Sequence, residues 1–197
     1  PCAGLTAWTS LVTKSAIGPG NTVLVQGTGG VAMASLQLAK VLGAKVIIIS
    51  SSNDKLGKAA KLGADHCINY NETVNWGEAA YDIAGHGVDA VIEIGGSGTL
   101  KNSLAAIRHG GHLNIIGYMA GIEMDITIFP LIIKGANLHG IGTGNRDNYE
   151  AMMRCVDEHK LQPVIAEHYP WERTVDAIEA LNTHAPMGKI VLDINQR

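Results

Sequence analysis

The run Thr22 to Gln26, of buried-strand character, leads directly into Gly27-Thr28-Gly29-Gly30-Val31-Ala32. That loop in turn opens a stretch with Val31, Ala34, Leu38 and Val41 at helical spacing. A glycine-rich turn held between a strand and a helix leaves few folds open to the chain. The first glycine lets the backbone turn, the second lets N–H groups approach a pyrophosphate, and the small Ala32 permits close helix-to-strand packing. An anion at this place sits at the positive end of the helix, where unpaired N–H groups already point outward. The same glycines could form a turn with no ligand. The flanking strand and helix, with a second strand at the right distance, point to a dinucleotide site.

The pattern then repeats. Lys45 to Ser50, 88–94, 112–116 and 137–141 read as further strands, most of them continuous Val/Ile runs as expected for parallel strands covered on both faces. Helices are predicted over 31–42, 55–62 and 99–108, with Gly43, Gly63 and Gly110 just past their ends, where a left-handed cap favours glycine. Strand, helix, glycine and strand in this order call for right-handed crossovers in one sheet. The expected fold class is α/β, a Rossmann doubly wound parallel sheet of about six strands. After Gly144 the pattern changes to a helix over 147–160, the segment 163–169, a helix over 171–182 and a strand over 189–194. The reading therefore divides the chain into a nucleotide-binding domain, residues 1–160 with an N-terminal linking helix, and a helix–strand tail, residues 161–197. That tail is too small to stand alone, so it packs on the main sheet or on a domain outside these residues.

Composition removes several function classes. The 197 residues carry a formal net charge of −3 without a run of like charges, so the electrostatic footprint of a nucleic-acid binder is missing. No apolar stretch approaches the ~20 residues that span a bilayer, and the amino end shows no signal-peptide pattern. Cys2, Cys67 and Cys155 are an odd set at wide spacing, which argues against a disulfide framework and fits a reducing, cytoplasmic setting. The 24 glycines in 197 residues exceed the usual ~7% and mark many sharp turns or close approaches. The sequence opens at Pro1 on an ordered-looking pattern, as a fragment or processed product would.

Dinucleotide folds select their ribose at the end of the second strand, where NAD binders place Asp or Glu. Here Ser50-Ser51-Ser52-Asn53 stands instead, followed by Lys55. Hydroxyls and an ammonium suit a 2′-phosphate that a carboxylate would repel, which favours NADP(H) over NAD(H). No arginine strengthens the preference. A serine-rich turn capping the helix that starts near Asp54 is the plainer reading, and the two are compatible.

Five blocks in order, Cys2-Ala3-Gly4-Leu5-Thr6-Ala7-Trp8, Val25-Gln26-Gly27-Thr28-Gly29-Gly30-Val31, Leu62-Gly63-Ala64-Asp65-His66, Ile68-Asn69-Tyr70 and Gly110-Gly111-His112, resemble the cofactor-binding domain of the medium-chain dehydrogenase/reductase family. This is the alcohol dehydrogenase and quinone reductase group. The resemblance implies hydride transfer to or from an alcohol or aldehyde, an enone or a quinone. It assigns Thr6 a place near the nicotinamide and the Gly27, Thr28, Gly29, Gly30 and Val31 loop the pyrophosphate. Tyr70 matches a position near the adenosine phosphate in NADP-dependent relatives, and an edge-strand aromatic is an equal reading. Gly95 leaves room for the cofactor, while Ile116, Gly117, Tyr118, Gly142 and Thr143 flank the nicotinamide and its carboxamide. The glycines among them also read as ordinary turn punctuation.

In zinc-dependent members a cysteine at the place of Cys2 is the third ligand of the catalytic zinc. A zinc site needs three protein ligands and an open position. The other two would lie outside these residues, so no metal is expected in this chain. The histidine pairs His109/His112 and His159/His168 form no recognised zinc spacing and read as solvated loop or strand-end residues. Gly96-Ser97-Gly98 falls short of a nucleophile elbow. The resemblance further implies that the chain begins where a GroES-like catalytic domain hands over, and that Gly188-Lys189-Ile190-Val191-Leu192-Asp193 returns to that domain. On this expectation the isolated chain binds cofactor but reduces nothing efficiently. Relatives dimerise through the last strand of the sheet, here the edge from Asn137 to Ile141, with Phe129 to Ile133 adding apolar surface. A stand-alone NADP(H)-binding module without catalysis is the alternative. An S-adenosylmethionine methyltransferase shares the sheet and loop but not the other blocks.

Overall fold

Val23, Leu24 and Val25 are all fully buried, yet they belong to two different cores: Val23 and Val25 face one side of a sheet and Leu24 the other. Val46 and Ile48 against Ile47, and Ala90 and Ile92 against Val91, alternate in the same way. A continuous apolar run thus becomes a strand covered on both faces. The computed structural model describes residues 1–123, 127–183 and 185–194. Its main sheet consists of β1 (Thr22–Gln26), β2 (Lys45–Ser50), β3 (His66–Asn69), β4 (Val88–Glu93), β5 (Ile107–Ile115) and β6 (Asn137–Gly140) in the order β3-β2-β1-β4-β5-β6. All five pairings are parallel. The order runs outward in both directions from β1 and β4. Their carboxyl ends form the switch point at which open α/β sheets bind ligands.

One face is covered by α1 (Cys2–Trp8), α2 (Gly30–Val41), α3 (Asn53–Lys61) and α7 (Arg146–Glu158), which contribute Leu5, Met33, Leu36, Leu56 and Met152 to its core. The other carries α4 (Trp76–Ala84), α5 (Leu100–Ala106) and α6 (Ile128–Lys134), with Trp76, Ala80, Leu100, Leu104 and Leu131. The linking helix α1 continues as a π-helical turn, Thr9–Lys14. The tail is a second βαβ unit: β7 (Ile165–Pro170), a 3₁₀ turn Trp171–Arg173, α8 (Thr174–Thr183) and β8 (Lys189–Asp193), its strands paired in parallel. It docks on the carboxyl end of the main sheet. Gly188 N–H donates to the Thr28 carbonyl at 2.9 Å, and Gln37 Nε2 to the Gln162 carbonyl at 2.8 Å.

Several expectations need adjustment. Gly43 and Gly63 follow their helices as expected. Gly110 does not cap α5, which ends at Ala106, with the Lys134 ammonium on the carbonyls of Leu104, Ala105 and Ile107. Gly110, at φ +71°, instead lies in a bulge of β5 where the register against β4 shifts, so the strand begins at Ile107 and not at 112. The segment 163–169, given no element type from the sequence, holds most of β7, and the helix read from 171 begins at Thr174 after the 3₁₀ turn. Strand β3 and helices α4 and α6 were not anticipated as elements. No helix among the described residues is long and apolar enough to cross a membrane.

Candidate functional site

Gly27 turns the chain out of β1 at φ +72°, with its N–H on the Ile49 carbonyl at 2.8 Å. A Cβ here would also press on Ile94 Cδ1 at 3.2 Å. Thr28 is buried, and Gly29 is the N-cap of α2 without a side-chain hydrogen bond. By contrast Ser52 caps α3 through its side chain and Asn145 caps α7. Gly29 is bridged in parallel to Gly188 of the tail, which engages the Gly30 N–H, so the N–H groups of Val31 and Ala32 are the ones left for a ligand at the positive end of the helix dipole. Lys189, from the start of β8, extends over Gly30: a Cβ built there would lie 2.7 Å from its Nζ. This tail residue, which sequence reasoning missed, adds a cation where an anion would sit.

The opposite wall is the exit of β4. Glu93 is fully buried, and its Oε1 accepts from Gly95 N–H (2.8 Å), Gly96 N–H (3.0 Å) and Thr99 Oγ1 (2.5 Å). Its Oε2 accepts from Gln26 Nε2 at 2.7 Å and from the Ser103 hydroxyl. Gly95 has no room for a side chain, since a Cβ would meet Thr99 within 3 Å. Ile116 and Gly117 both donate backbone N–H to the Glu93 carbonyl, at 2.8 and 3.3 Å. Tyr118 is exposed and begins a turn that folds back on β4, with Ala120 N–H on the Gly95 carbonyl at 2.6 Å. Between these segments lies a cavity of about 200 Å³ lined by Glu93, Gly96, Ser97, Ile116, Gly117 and Tyr118. The predicted residues Gly27 to Val31, Gly95 and Ile116 to Tyr118 are thus brought to one end of the sheet.

At the β2 end, Ser50 is buried and its Oγ accepts from Ser52 N–H at 3.3 Å, while Ser51 is exposed. Lys55 does not project toward the serines; its Nζ donates to the Ala185 carbonyl of the tail at 2.6 Å. Tyr70 is 39% exposed, just past β3, with its N–H on the Ser50 carbonyl at 3.2 Å. Glu72 was not anticipated here. Its Oε1 accepts from Asn53 Nδ2 (2.8 Å) and Asn69 Nδ2 (3.0 Å), and Asn69 also donates to Asn53 Oδ1 (2.9 Å), so a carboxylate borders the serine-rich turn after all.

Thr6 is buried in α1 and its hydroxyl donates to the Cys2 carbonyl at 2.9 Å. Cys2 is an exposed free thiol whose Sγ lies 4.0 Å from Thr143 Oγ1, so the fold does bring the amino end to the Gly142-Thr143 turn after β6. Thr143 is not a zinc ligand of the usual N/S/carboxylate kind, and no group of three His, Cys, Asp or Glu side chains gathers among the described residues. The described residues do not make a zinc site. A larger cavity, about 530 Å³ and mostly apolar, opens on the α1–α2–α7 side between Met33, Met152, Val156 and Leu161, and Gly30 and Lys189 form part of its lining. Its volume alone does not make it the reactive crevice, since it offers few polar groups to orient a ligand. His112 is no solvated strand end: its ring stacks on His139 of β6 with Nδ1 and Nε2 2.9 Å apart.

Comparison with known proteins agrees with this architecture. The family described as zinc-binding dehydrogenase matches residues 30–158. A zinc-type alcohol dehydrogenase-like protein of Schizosaccharomyces pombe is 38% identical over 202 residues, which cover 99% of this chain and 58% of that protein. Among solved structures, a protein of Sinorhizobium meliloti 1021 described as an alcohol dehydrogenase superposes with a TM-score of 0.93 at 42% identity, over 98% of this chain and 57% of its own. An NAD-dependent alcohol dehydrogenase superposes at 0.91 with 31% identity, over 99% and 57%. The chain spans a little over half the length of these relatives.

Proposed function

The chain belongs to the zinc-binding dehydrogenase family of medium-chain dehydrogenases/reductases, and from that premise we propose that it is the NADP(H)-binding part of an oxidoreductase acting on small alcohols or aldehydes, enones or quinones. Residues 1–160 form the nucleotide-binding unit in this reading, and the tail from 161 belongs with the part of the relatives that the chain does not span. The observation that carries it is the α2 amino end, which has no side-chain cap, sits behind the Gly27 turn and faces the β4 exit at the sheet's switch point. The nicotinamide, when bound, supplies or accepts the hydride.

The chain's residues bind and orient the cofactor. The α2 amino end and Lys189 hold the pyrophosphate, by N–H donation and by charge. Gly95 and the Ile116 to Tyr118 segment wall the nicotinamide half, with Thr6, Gly142 and Thr143 on the linking-helix side. Ser50, Ser51, Asn53 and Tyr70 receive the adenosine end, and Lys55 reaches a 2′-phosphate on leaving the Ala185 carbonyl.

The phosphate preference rests on the absence of a carboxylate within the Ser50 to Asn53 turn and on its hydroxyls. A second reading, NAD(H), is favoured by the Glu72 carboxylate beside Asn53. Calorimetric titration of the chain with NADPH and NADH in parallel tests both. Tighter NADPH binding supports the proposal, equal or tighter NADH binding overturns the selector, and binding of neither overturns the function. We further propose a homodimer through the β6 edge, and a reducing, cytoplasmic location on the strength of three free thiols.

A further inference from the structure

We propose that Glu93 and Gln26 are a positioning pair that sets the separation of the two crevice walls; the proposal rests on the cofactor reading above. The two residues end neighbouring strands. Val25 pairs with Ile92 in the β1–β4 ladder, so Gln26 and Glu93 come next to each other where the strands leave the sheet. Gln26 is followed at once by Gly27, the turn into the pyrophosphate loop, and Glu93 by the Ile94–Gly96 exit that walls the opposite side.

Glu93 holds three strand exits with one residue. Its Oε2 takes Gln26 Nε2 from β1, its Oε1 takes the N–H groups of Gly95 and Gly96 after β4, and its backbone carbonyl takes Ile116 and Gly117 after β5. Gln26 closes the circuit, since its Oε1 accepts from Ile94 N–H at 3.0 Å and Gly95 N–H at 3.2 Å while its Nε2 also donates to Ser103 Oγ at 2.8 Å. The polarity of this network is fixed. Backbone N–H groups can only donate, so the Gln26 oxygen must face β4 and its NH₂ must face the Glu93 carboxylate.

Stability alone does not account for such a choice. A carboxylate at 0% exposure with no cation among its bonded partners carries a desolvation cost that an apolar pair at the two strand ends would avoid. What the network provides, and apolar packing would not, is directional: each bond ties a specific atom of one wall to a specific atom of the other. The crevice width is then built in before the cofactor arrives, which lowers the cost of binding.

The test uses Glu93→Gln, Gln26→Glu and the exchange Q26E/E93Q in the whole chain. Glu93→Gln sets NH₂ against NH₂, and turning either amide removes an acceptor from Gly95 and Gly96 or from Ile94. Gln26→Glu sets carboxylate against carboxylate. The exchange restores one donor facing one acceptor, with Ser103 turning its hydroxyl to donate to the carboxylate at position 26 and accepting from the amide at position 93. Cofactor affinity is measured by calorimetry at a temperature at which circular dichroism shows each variant folded. Each single change is expected to weaken NADPH and NADH by the same factor, about tenfold or more as for a broken charge-assisted hydrogen bond, and the exchange to recover affinity to within about threefold.

A lowered melting temperature with unchanged affinity in the singles, or an exchange no better than either single, overturns the proposal. Should the singles not fold, Thr99→Val takes their place; it removes one of the five donors to the Glu93 carboxylate and keeps four, and loss of affinity for both cofactors without loss of helix content is the expected result, unchanged affinity the contrary one. Failure of the unaltered chain to bind either cofactor strikes the functional reading itself, whereas unaltered binding with insensitive variants strikes only this pair.

Discussion

The ammonium of Lys189, on the first residue of β8, lies against the backbone of Gly30 at the amino end of α2, so that a Cβ built on Gly30 would be 2.7 Å from Nζ. A cation beside the positive end of a helix is unfavourable unless an anion joins them, and Nζ has no hydrogen-bond partner among the described residues. Lys189→Met is therefore expected to weaken NADPH and NADH alike, by about tenfold, since both carry the pyrophosphate. Parallel titrations check it; loss of NADPH binding alone would place Lys189 at the 2′-phosphate instead. Gly30→Ala is expected to be mild in the free chain, because the atoms it meets belong to the flexible end of a lysine, and costly for cofactor binding.

Glu72 and Lys55 act on the other end of the nucleotide. The Glu72 carboxylate, fixed by Asn53 and Asn69, opposes a 2′-phosphate by like charge, and Glu72→Gln removes the charge while keeping an oxygen for the two asparagines. NADPH should bind about three- to tenfold more tightly to this variant at low salt, with the gain shrinking as salt screens it, and NADH should be unaffected. Lys55→Ala should do the reverse for NADPH, and should also loosen the tail by removing the 2.6 Å bond to the Ala185 carbonyl. A change in NADH affinity of equal size in both variants would show that these residues shape the turn and do not read the phosphate.

The stacked pair His112 and His139 makes stability depend on pH. Burial holds the His112 pKa below the ordinary 6.5, with the charges of His139 and Arg108 lowering it further and Asp89 opposing. Burial and then Lys14 lower that of His139. A depressed folded value means that the unfolded chain binds more protons in the acid range, so the stability contributed by the neutral pair is complete above 6.5 and is lost as pH falls through the depressed folded values. The denaturant midpoint should rise as the pH climbs from the depressed folded values to the ordinary 6.5 and then level. His139→Gln should flatten the rise; an unchanged slope would assign it to other groups.

What was legible in the sequence was local. The bounds of β1 and β2 follow from apolar runs that bury both faces, and the loop between β1 and α2 follows from adjacent glycines. Strand β3 escaped because only Ile68 of its four residues is buried, and α4 because Trp76, Gly77 and Ala80 are its only buried residues. The start of β5 was hidden by a glycine bulge that resembles a helix cap. At the site, the unseen residues are those that sheet register and tail docking bring together. Gln26 and Glu93 are 67 positions apart and each ends an apolar run, Glu72 approaches Asn53 across two strand ends, and Lys189 reaches Gly30 only because the tail folds back on the loop. Periodicity reports which face a residue lies on; it carries no register between distant strands.

The β6 edge is where self-association should show. Asn137–Gly140 is the outermost strand, and its unpaired backbone groups are a template for another strand. Beside it α6 buries none of its residues fully, leaving Phe129 at 66% and Ile132 at 68% exposure, with Leu138 of β6 exposed nearby. Apolar surface of this kind next to an open edge fits a second copy of the chain related by a twofold axis, which would extend one sheet into the next. Leu138→Lys and Ile132→Glu each put a charge against its own symmetry mate, so each should shift the mass measured by light scattering from dimer to monomer while leaving the circular dichroism spectrum unchanged. A monomeric mass for the unaltered chain at high concentration would remove the dimer, and a dimer that survives both changes would place its interface elsewhere.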